Sequence, residues 1–439
     1  MVLNDTVTSP DTWRPFLNAL VSLANSNDCE FSDGGLFSDG SGGSMLLDRE
    51  VLATLQAEAA DCDFLFCAVA RPDGFAEVMV VDSRSPHLAG MAGYGAIDGV
   101  VLSPGAHPEP YRRQPEPTAG QGFSPGCASE LVARIVTDAL PGTPAEEPGA
   151  LAAAEDAFGH PLPPDVRALY ATAAGGDLYS IEESSDPDLP WITRGMYVMP
   201  LDEVDGRAYC QPQRRYLSWR SGAETAVAPD RFGQLQPLAH SAAWFVVGTD
   251  PEAGFFVVDM APGPNGTVGQ LLHLHRDAPV GAQWLAPSLT EYLQNGAVIN
   301  PRSPFDVKDE AAEFGLIADA VTDVGPLTEV LRLHNLDAPV DLSALAGHPR
   351  LRSVFVSSPT VTGCDALTRL PALDYLSLPV AMWRTVIDDG LVPDSLHAAG
   401  FEDAAQGLSR APFADTIEVA NDLLRHRGQP PLKVHHIAR

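Results

Sequence analysis

No window of the 439-residue sequence offers the roughly 18 uninterrupted apolar residues that a membrane-spanning helix needs, and the mean hydropathy is −0.02. The sequence therefore predicts a chain that folds in water and does not engage a membrane. The start, Met1 to Asp11, lacks the basic segment, apolar core and small-residue cleavage site of a secretory leader, so a cytoplasmic location is expected. Cysteine is scarce as well. The six cysteines run from Cys29 to Cys364 without a Cys-x-x-Cys pair, which argues against a disulfide framework or a zinc site and leaves buried, reduced thiols as the reading.

Recognisable catalytic motifs are missing too. There is no Gly-x-x-x-x-Gly-Lys-Ser/Thr loop, Gly-x-Gly-x-x-Gly turn, His-Glu-x-x-His helix or Gly-x-Ser-x-Gly elbow. The Gly-rich stretch Ser38 to Ser44 has no lysine behind it to cradle phosphate, and Asp33, Asp39 and Asp48 do not follow EF-hand spacing. No enzyme, cofactor or metal is expected. Basic side chains are the other shortage: 27 Lys and Arg stand against 58 Asp and Glu, a formal charge of −31. Such a field repels nucleic acid and anionic lipid and attracts basic proteins, although it also serves solubility alone.

What is present points to several domains, since a chain of this length exceeds one ordinary core. Pro and Gly punctuate it at Pro141 to Gly149 and at Asn300 to Pro304, so the sequence predicts domains over 1–142, 150–298 and 305–439. In the first, Trp13, Phe16, Leu17 and Leu20 recur at helical spacing, and Met45 to Leu55 repeats that pattern after an expected loop from Ser32 to Ser44. Phe64 to Ala70 and Val78 to Val81, separated by Arg71-Pro-Asp-Gly74, read as a β-hairpin, and a helix is predicted from Ser129 through Leu140.

The middle segment predicts helices over Leu151 to Phe158 and from Pro164, then antiparallel strands over Trp244 to Val247, Gly254 to Asp259 and Val268 to His275. Asn265-Gly266 is read as a turn that uses positive φ, and Ser288 with Glu291 as a capping box. The elements Ala154-Glu155-x-x-Phe158-Gly159, Leu162-Pro-Pro-Asp165, Gly175-Gly176, Val247-Gly-Thr-Asp250, Phe255 to Asp259, Pro262 to Gly269 and Ala286 to Leu289 occur in an order that resembles the SUKH superfamily, the domain of fungal Smi and Knr cell-wall assembly regulators and of many bacterial immunity proteins. The resemblance implies an antiparallel sheet flanked by helices, and a domain that binds a protein partner. For bacterial members that partner is commonly a toxin, often a nuclease-like enzyme, which the domain neutralises. Ile181 to Gln236 is longer and more polar than the resemblance leads one to expect, and it is read as a partner-binding insertion; Trp191 within it is expected in the core.

In the last segment Leu345, Pro349, Leu351, Val354 and Val356 recur 22 residues later as Leu367, Pro371, Leu373, Leu376 and Leu378, while Leu331-Arg-Leu333 sits 23 residues before Val354-Phe-Val356. That period looks like a short leucine-rich-repeat array with a helical cap, whose exposed Arg332, His334, Phe355 and Ser377 would form a binding face. The basic end, Arg425 to Arg439, is expected to pack back on an acidic body.

The fold class expected is thus α+β and multidomain. Expected partner contacts are Tyr209, Arg215 and Trp219 in the insertion, with Phe255, His273 and His275 on the strands. His273 and His275 alternate on a strand, but without a third ligand in sequence they do not complete a metal site. The leading function is neutralisation of a basic toxin or nuclease domain. An adaptor of the Smi/Knr type, or an enzyme with a site around Phe64 to Leu102, are the alternatives.

Overall fold

The computed structural model describes residues 7–28, 31–38, 41–42, 64–92, 96–117, 122–183, 185, 191–203, 218–275, 281–299, 315–318, 321–333, 339–358, 360–402 and 413–439. They combine helices with several antiparallel sheets, an α+β chain of more than one domain. Two units emerge: one comprises Met1–Pro108, Ser218–Glu224 and Gly315–Arg439, the other Glu109–Leu217 and Thr225–Phe314. The boundaries expected near residues 142 and 305 do not coincide with this division, because the two ends of the sequence share sheets.

In the first unit the helix Pro10–Asn27 buries Trp13, Phe16, Leu17 and Leu20, and the Trp13 ring meets Phe16, Phe64 and Phe66 at 5.2–5.9 Å between centroids. The hairpin strands Phe64–Ala70 and Ala76–Asp82 follow the predicted turn, with Gly74 at φ 87°. Their runs are continuously apolar because both faces are covered: Phe64, Phe66, Val78 and Val80 meet the helix, whereas Leu65, Met79 and Val81 enter a second core with Leu331, Val354 and Leu376.

One expectation changes in this sheet. The stretch read as a loop after Phe31 is largely a strand, Phe31–Ser38, paired antiparallel with Phe64–Ala70. Gly, Ser and Asp have poor strand propensity, so the ladder hydrogen bonds of a strongly apolar neighbour override local preference. On the other edge the basic end packs back as a strand: Val434–Ala438 pairs antiparallel with Ala76–Asp82, which makes His435 and His436 ladder residues. The predicted helix over Met45 to Leu55 lies outside the described residues.

A second sheet carries five parallel strands, Gly315–Ala318, Val330–Leu333, Ser353–Val356, Tyr375–Leu378 and Ala398–Phe401, closed by antiparallel Ala96–Val101 and then Leu88–Ala92. Leu331, Val354, Leu376 and Ala399 are successive register partners, and all are fully buried. The aliphatic positions of the 22-residue period therefore share one core, each contributing roughly 1.5–3 kcal/mol by leaving water.

The second unit orders its strands Gln283–Ala286, Gln270–Leu274, Phe255–Asp259, Trp244–Thr249, Tyr197–Val198 and Gly176–Asp177, all antiparallel. The three strands expected there are present in the expected order. The helix Ser129–Ala139, expected in the first domain, belongs to this unit instead: Val132 and Val136 enter its core with Val166 and Leu169, and Ser129 Oγ donates to the Pro164 carbonyl at 2.9 Å. A helix carries no label of the neighbour its apolar face will find.

The Asn265-Gly266 turn also differs from expectation, since neither residue has positive φ. Glycine is needed at 266 for space, because a Cβ there would stand 2.4 Å from the Gln234 carbonyl oxygen. At the closing helix Leu289–Asn295, Ser288 Oγ accepts from the Glu291 amide at 3.2 Å. Ser288→Ala is expected to lower stability by about 1 kcal/mol, read as a lower urea midpoint at unchanged slope; an unchanged midpoint would remove this cap from the account.

Candidate binding surfaces

The SUKH-like motif residues of the second unit are anchors of the fold. Asp165, fully buried, accepts from the Thr290 amide and from Thr290 Oγ1, both at 3.0 Å, tying the Pro164–Tyr170 helix to the start of the closing helix. Asp250 accepts from the amides of Glu252 and Gly254 at 2.8 Å and faces His273 Nε2 at 2.7 Å. Burial pushes its carboxyl upward, but the His273 contact and the two amides outweigh that and hold it below the ordinary value. Asp259, bonded by the Ala261 amide and Gln270 Nε2, is pushed up to about 6 by burial.

This placement changes the reading of the two histidines. His273 is buried and already satisfied by a carboxylate, and its ring packs edge-on against Phe256 at 5.4 Å. His275 lies just past the strand end and is half-buried, with its ring 6.4 Å from that of His273. Among the described residues no group of three side chains suited to a metal ion comes together. Phe255, also half-buried, pairs in the ladder with Thr249 and Leu274.

The apolar surface of this unit lies elsewhere. The strands Ser180–Glu183 and Trp191–Arg194 form a two-stranded ribbon on which Ile181 is 57% and Trp191 60% exposed. Trp191 was expected in the core and is not; it stands across the ladder from Glu183. A small ribbon has no second layer to cover its rings. Just before and after the ribbon, Tyr179 and Tyr197 stack at 6.0 Å with 15° between planes, and the Tyr179 amide donates to Asp177. Burial first, then Asp250 and Glu252, push the Tyr179 hydroxyl up, which places those carboxylates in its field. Aromatic rings therefore stand among Asp177, Glu183 and Glu252, while Glu182 is paired with Arg194 across the ribbon at 3.3 Å.

The first unit holds the other candidate surface, on its parallel sheet. Arg332, Phe355, Ser377 and Gly400 are successive register partners across four strands. Phe355 and Ser377, expected as exposed positions of a binding face, are fully buried. The cause is the helix Trp219–Ala223, which lies on that face: the Trp219 ring stacks on Tyr375 at 6.4 Å and 10°, and Arg220 stands over the Phe355 ring at 5.3 Å. Ser218 and Ser221 close a reciprocal capping box at its start.

Arg220 is the centre of this arrangement. Its Nη1 lies 3.0 Å from Glu402 Oε1, its Nη2 donates to Glu402 Oε2 at 3.2 Å, and its Nη1 also donates to Ser377 Oγ at 3.3 Å. Its Nε pairs with Glu224 at 2.9 Å, while Asp98 Oδ1 lies 3.9 Å away. Arg332 pairs with Glu224 as well. Burial alone would lower the guanidinium, but the field of Tyr375, Glu402 and Asp98 raises it further still. Glu402 is held below its ordinary value despite burial, whereas Asp98, farther from the cation, is pushed up to about 6 by burial.

Trp219, expected as a partner contact, is thus only 4% exposed, and its loss acts on this packing. Tyr209, Arg215 and His334 lie outside the described residues. Sequence reasoning missed Asp98 and Glu402, which stand more than three hundred positions apart and carry no local motif.

With this geometry in place, comparison with known proteins adds one finding: the SMI1 / KNR4 family (SUKH-1) matches residues 147–295, the central third of the chain. No curated protein matches the chain. Among the described residues no helix is long and apolar enough to cross a membrane.

Proposed function

We propose, from the premise that residues 147–295 carry a SUKH-type domain, that the protein works without catalysis by binding a basic protein, and that this partner is a toxin domain which it neutralises inside the cell. The observation that carries the reading is the exposed ribbon with Ile181 and Trp191, beside the stacked Tyr179 and Tyr197, in an acidic surround. Tyr and Trp supply large contact area at small entropic cost and are enriched among interface hot spots. The net charge of −31 favours encounter with a cationic partner, which would meet carboxylates here in place of nucleic acid phosphates.

The reading is tested by affinity capture from lysate at two salt concentrations, followed by titration of the captured protein against a variant. Trp191→Ala is expected to weaken binding by about tenfold or more, the scale of a hot-spot ring, with a melting temperature within about 1 °C of the parent because the ring is exposed. Binding that ignores both salt and this substitution would remove the ribbon from the proposal.

A second reading is an intracellular adaptor of the Smi/Knr type. It is favoured by the first unit, which has its own core and its own parallel sheet of 22- and 23-residue register steps. We read that sheet as leucine-rich-repeat-like, an array that serves a different partner from the one met by the SUKH-type domain. Capture of a protein without toxin activity, retained by the first unit's surface, would favour the adaptor.

A further inference from the structure

The parallel-sheet face holds a buried carboxylate, Glu402, beside Asp98, Tyr375 and Ser377, and its cation comes from far away in sequence. Ser218–Glu224 is flanked on both sides by chain that belongs to the other unit. The segment carries its own order through the Ser218–Ser221 capping box and lies across a floor formed by Phe355, Ser377 and Gly400. Gly400 keeps that floor open: a Cβ there would stand 2.1 Å from Tyr375 Oη and 2.5 Å from Ser377 Oγ. We propose that this face is a recognition site for an arginine-bearing peptide of a partner protein, and that the chain's own Trp219-Arg220 occupies it as an internal mimic.

Three features give the site its chemistry. The guanidinium lies against Glu402 through both of its terminal nitrogens, Nη2 donating to Oε2 at 3.2 Å and Nη1 standing 3.0 Å from Oε1, a planar contact that lysine does not reproduce. The Phe355 face lies under the same cation, and Tyr375 offers a ring on which an aromatic neighbour of the arginine stacks. Among the described residues, Tyr375 Oη, Asp98 Oδ1 and Glu402 Oε1 are buried without a hydrogen-bond partner. The internal segment therefore leaves polar atoms of the site unsatisfied. A ligand that brings one more donor, such as a backbone amide beside its arginine, meets them better and displaces the mimic.

The test uses the full-length chain and a fluorescent peptide of the sequence Ser218–Glu224. The peptide is expected to bind Arg220→Ala about tenfold more tightly than the parent, whose site is filled, and to raise the melting temperature of that variant. The same peptide with alanine in place of its arginine is expected to bind neither, and adding Glu402→Gln to the Arg220→Ala protein is expected to abolish binding. Should Arg220→Ala not fold, as judged by circular dichroism, Arg220→Gln takes its place, since it retains length and a polar amide. Equal binding of the arginine and alanine peptides would overturn the proposal, and so would failure of both variants to fold, because the segment would then be an obligate part of the core. Trp191→Ala leaves this binding unchanged, which separates the inference from the reading of the other unit.

Discussion

Arg220→Ala is expected to destabilise the protein by about 3–5 kcal/mol, the cost of stripping one partner from a buried ion pair. The magnitude follows from what stays behind. Glu402 is 3% exposed and takes its compensation from Arg220 and from Ser357 Oγ, which donates at 2.9 Å; with the guanidinium gone, a charge remains in a site that water does not reach. For a unit of this size the loss corresponds to a drop of roughly 10 °C in melting temperature. Arg220→Lys keeps the charge but not the two-nitrogen contact, so it is expected to fall between the variant and the parent. A shift under about 2 °C for Arg220→Ala would show that the carboxylates are solvated or neutral, and the packing described for Trp219 would have to be abandoned with it.

Asp98 gives the second large effect, through pH. Burial raises its carboxyl from 3.8 to about 6, so the folded state holds this proton more firmly than the unfolded chain does. A carboxyl raised in this way contributes most below its unfolded value, and that contribution is lost as pH rises through about 6. A carboxyl moved from 3.8 to about 6 corresponds to roughly 3 kcal/mol, at about 1.4 kcal/mol for each tenfold in proton affinity. Asp98→Asn removes the titration. The stability difference between variant and parent is therefore expected to move in favour of the variant by about 2–3 kcal/mol between pH 4 and pH 8, read from urea unfolding at several pH values. A difference that stays flat across that range would place Asp98 in water.

The two effects share a cause, namely that carboxylates are grouped around one cation in a place where desolvation is costly. Their unequal behaviour follows distance. Glu402 lies 3.0 Å from the guanidinium and is held ionised, while Asp98 at 3.9 Å is governed by burial. The internal segment consequently offers a graded site, one carboxylate in close contact with the arginine and one farther away, each with an oxygen that, among the described residues, lacks a hydrogen-bond donor.

Much of the fold is legible in the sequence because it is written at short range. Helical spacing places Trp13, Phe16, Leu17 and Leu20 on one buried stripe, and Arg71-Pro-Asp-Gly74 makes its turn. The SUKH-like elements appear in order from Pro148–Phe158 to Leu289–Asn295, with Ser288 capping the closing helix. Each signal depends on residues a few positions apart, where periodicity and turn chemistry act directly. The 22-residue offset is of the same kind, since a repeated apolar pattern survives whatever the strands later pair with.

Other features depended on which surfaces meet, and no local pattern carries that. Arg425 to Arg439 reads as a basic end that packs back, but not as a strand until Ala76–Asp82 offers Val434–Ala438 an edge, and Ser32 to Ser38 reads as a loop until Phe64–Ala70 does the same. Phe355 and Ser377 alternate with the aliphatic ridge as exposed residues would, yet a helix from more than one hundred residues upstream covers them. Trp191 and Trp219 are alike in sequence and opposite in fate, one 60% exposed on a two-stranded ribbon and one 4% exposed on an aromatic floor. The sequence by itself determined the helices and turns written at short range, their apolar faces and the chain's acidic character, because these are sums over near neighbours. Only the tertiary structure decided which face is covered and which cation meets which carboxylate, because burial and electrostatic pairing are set by distance in space.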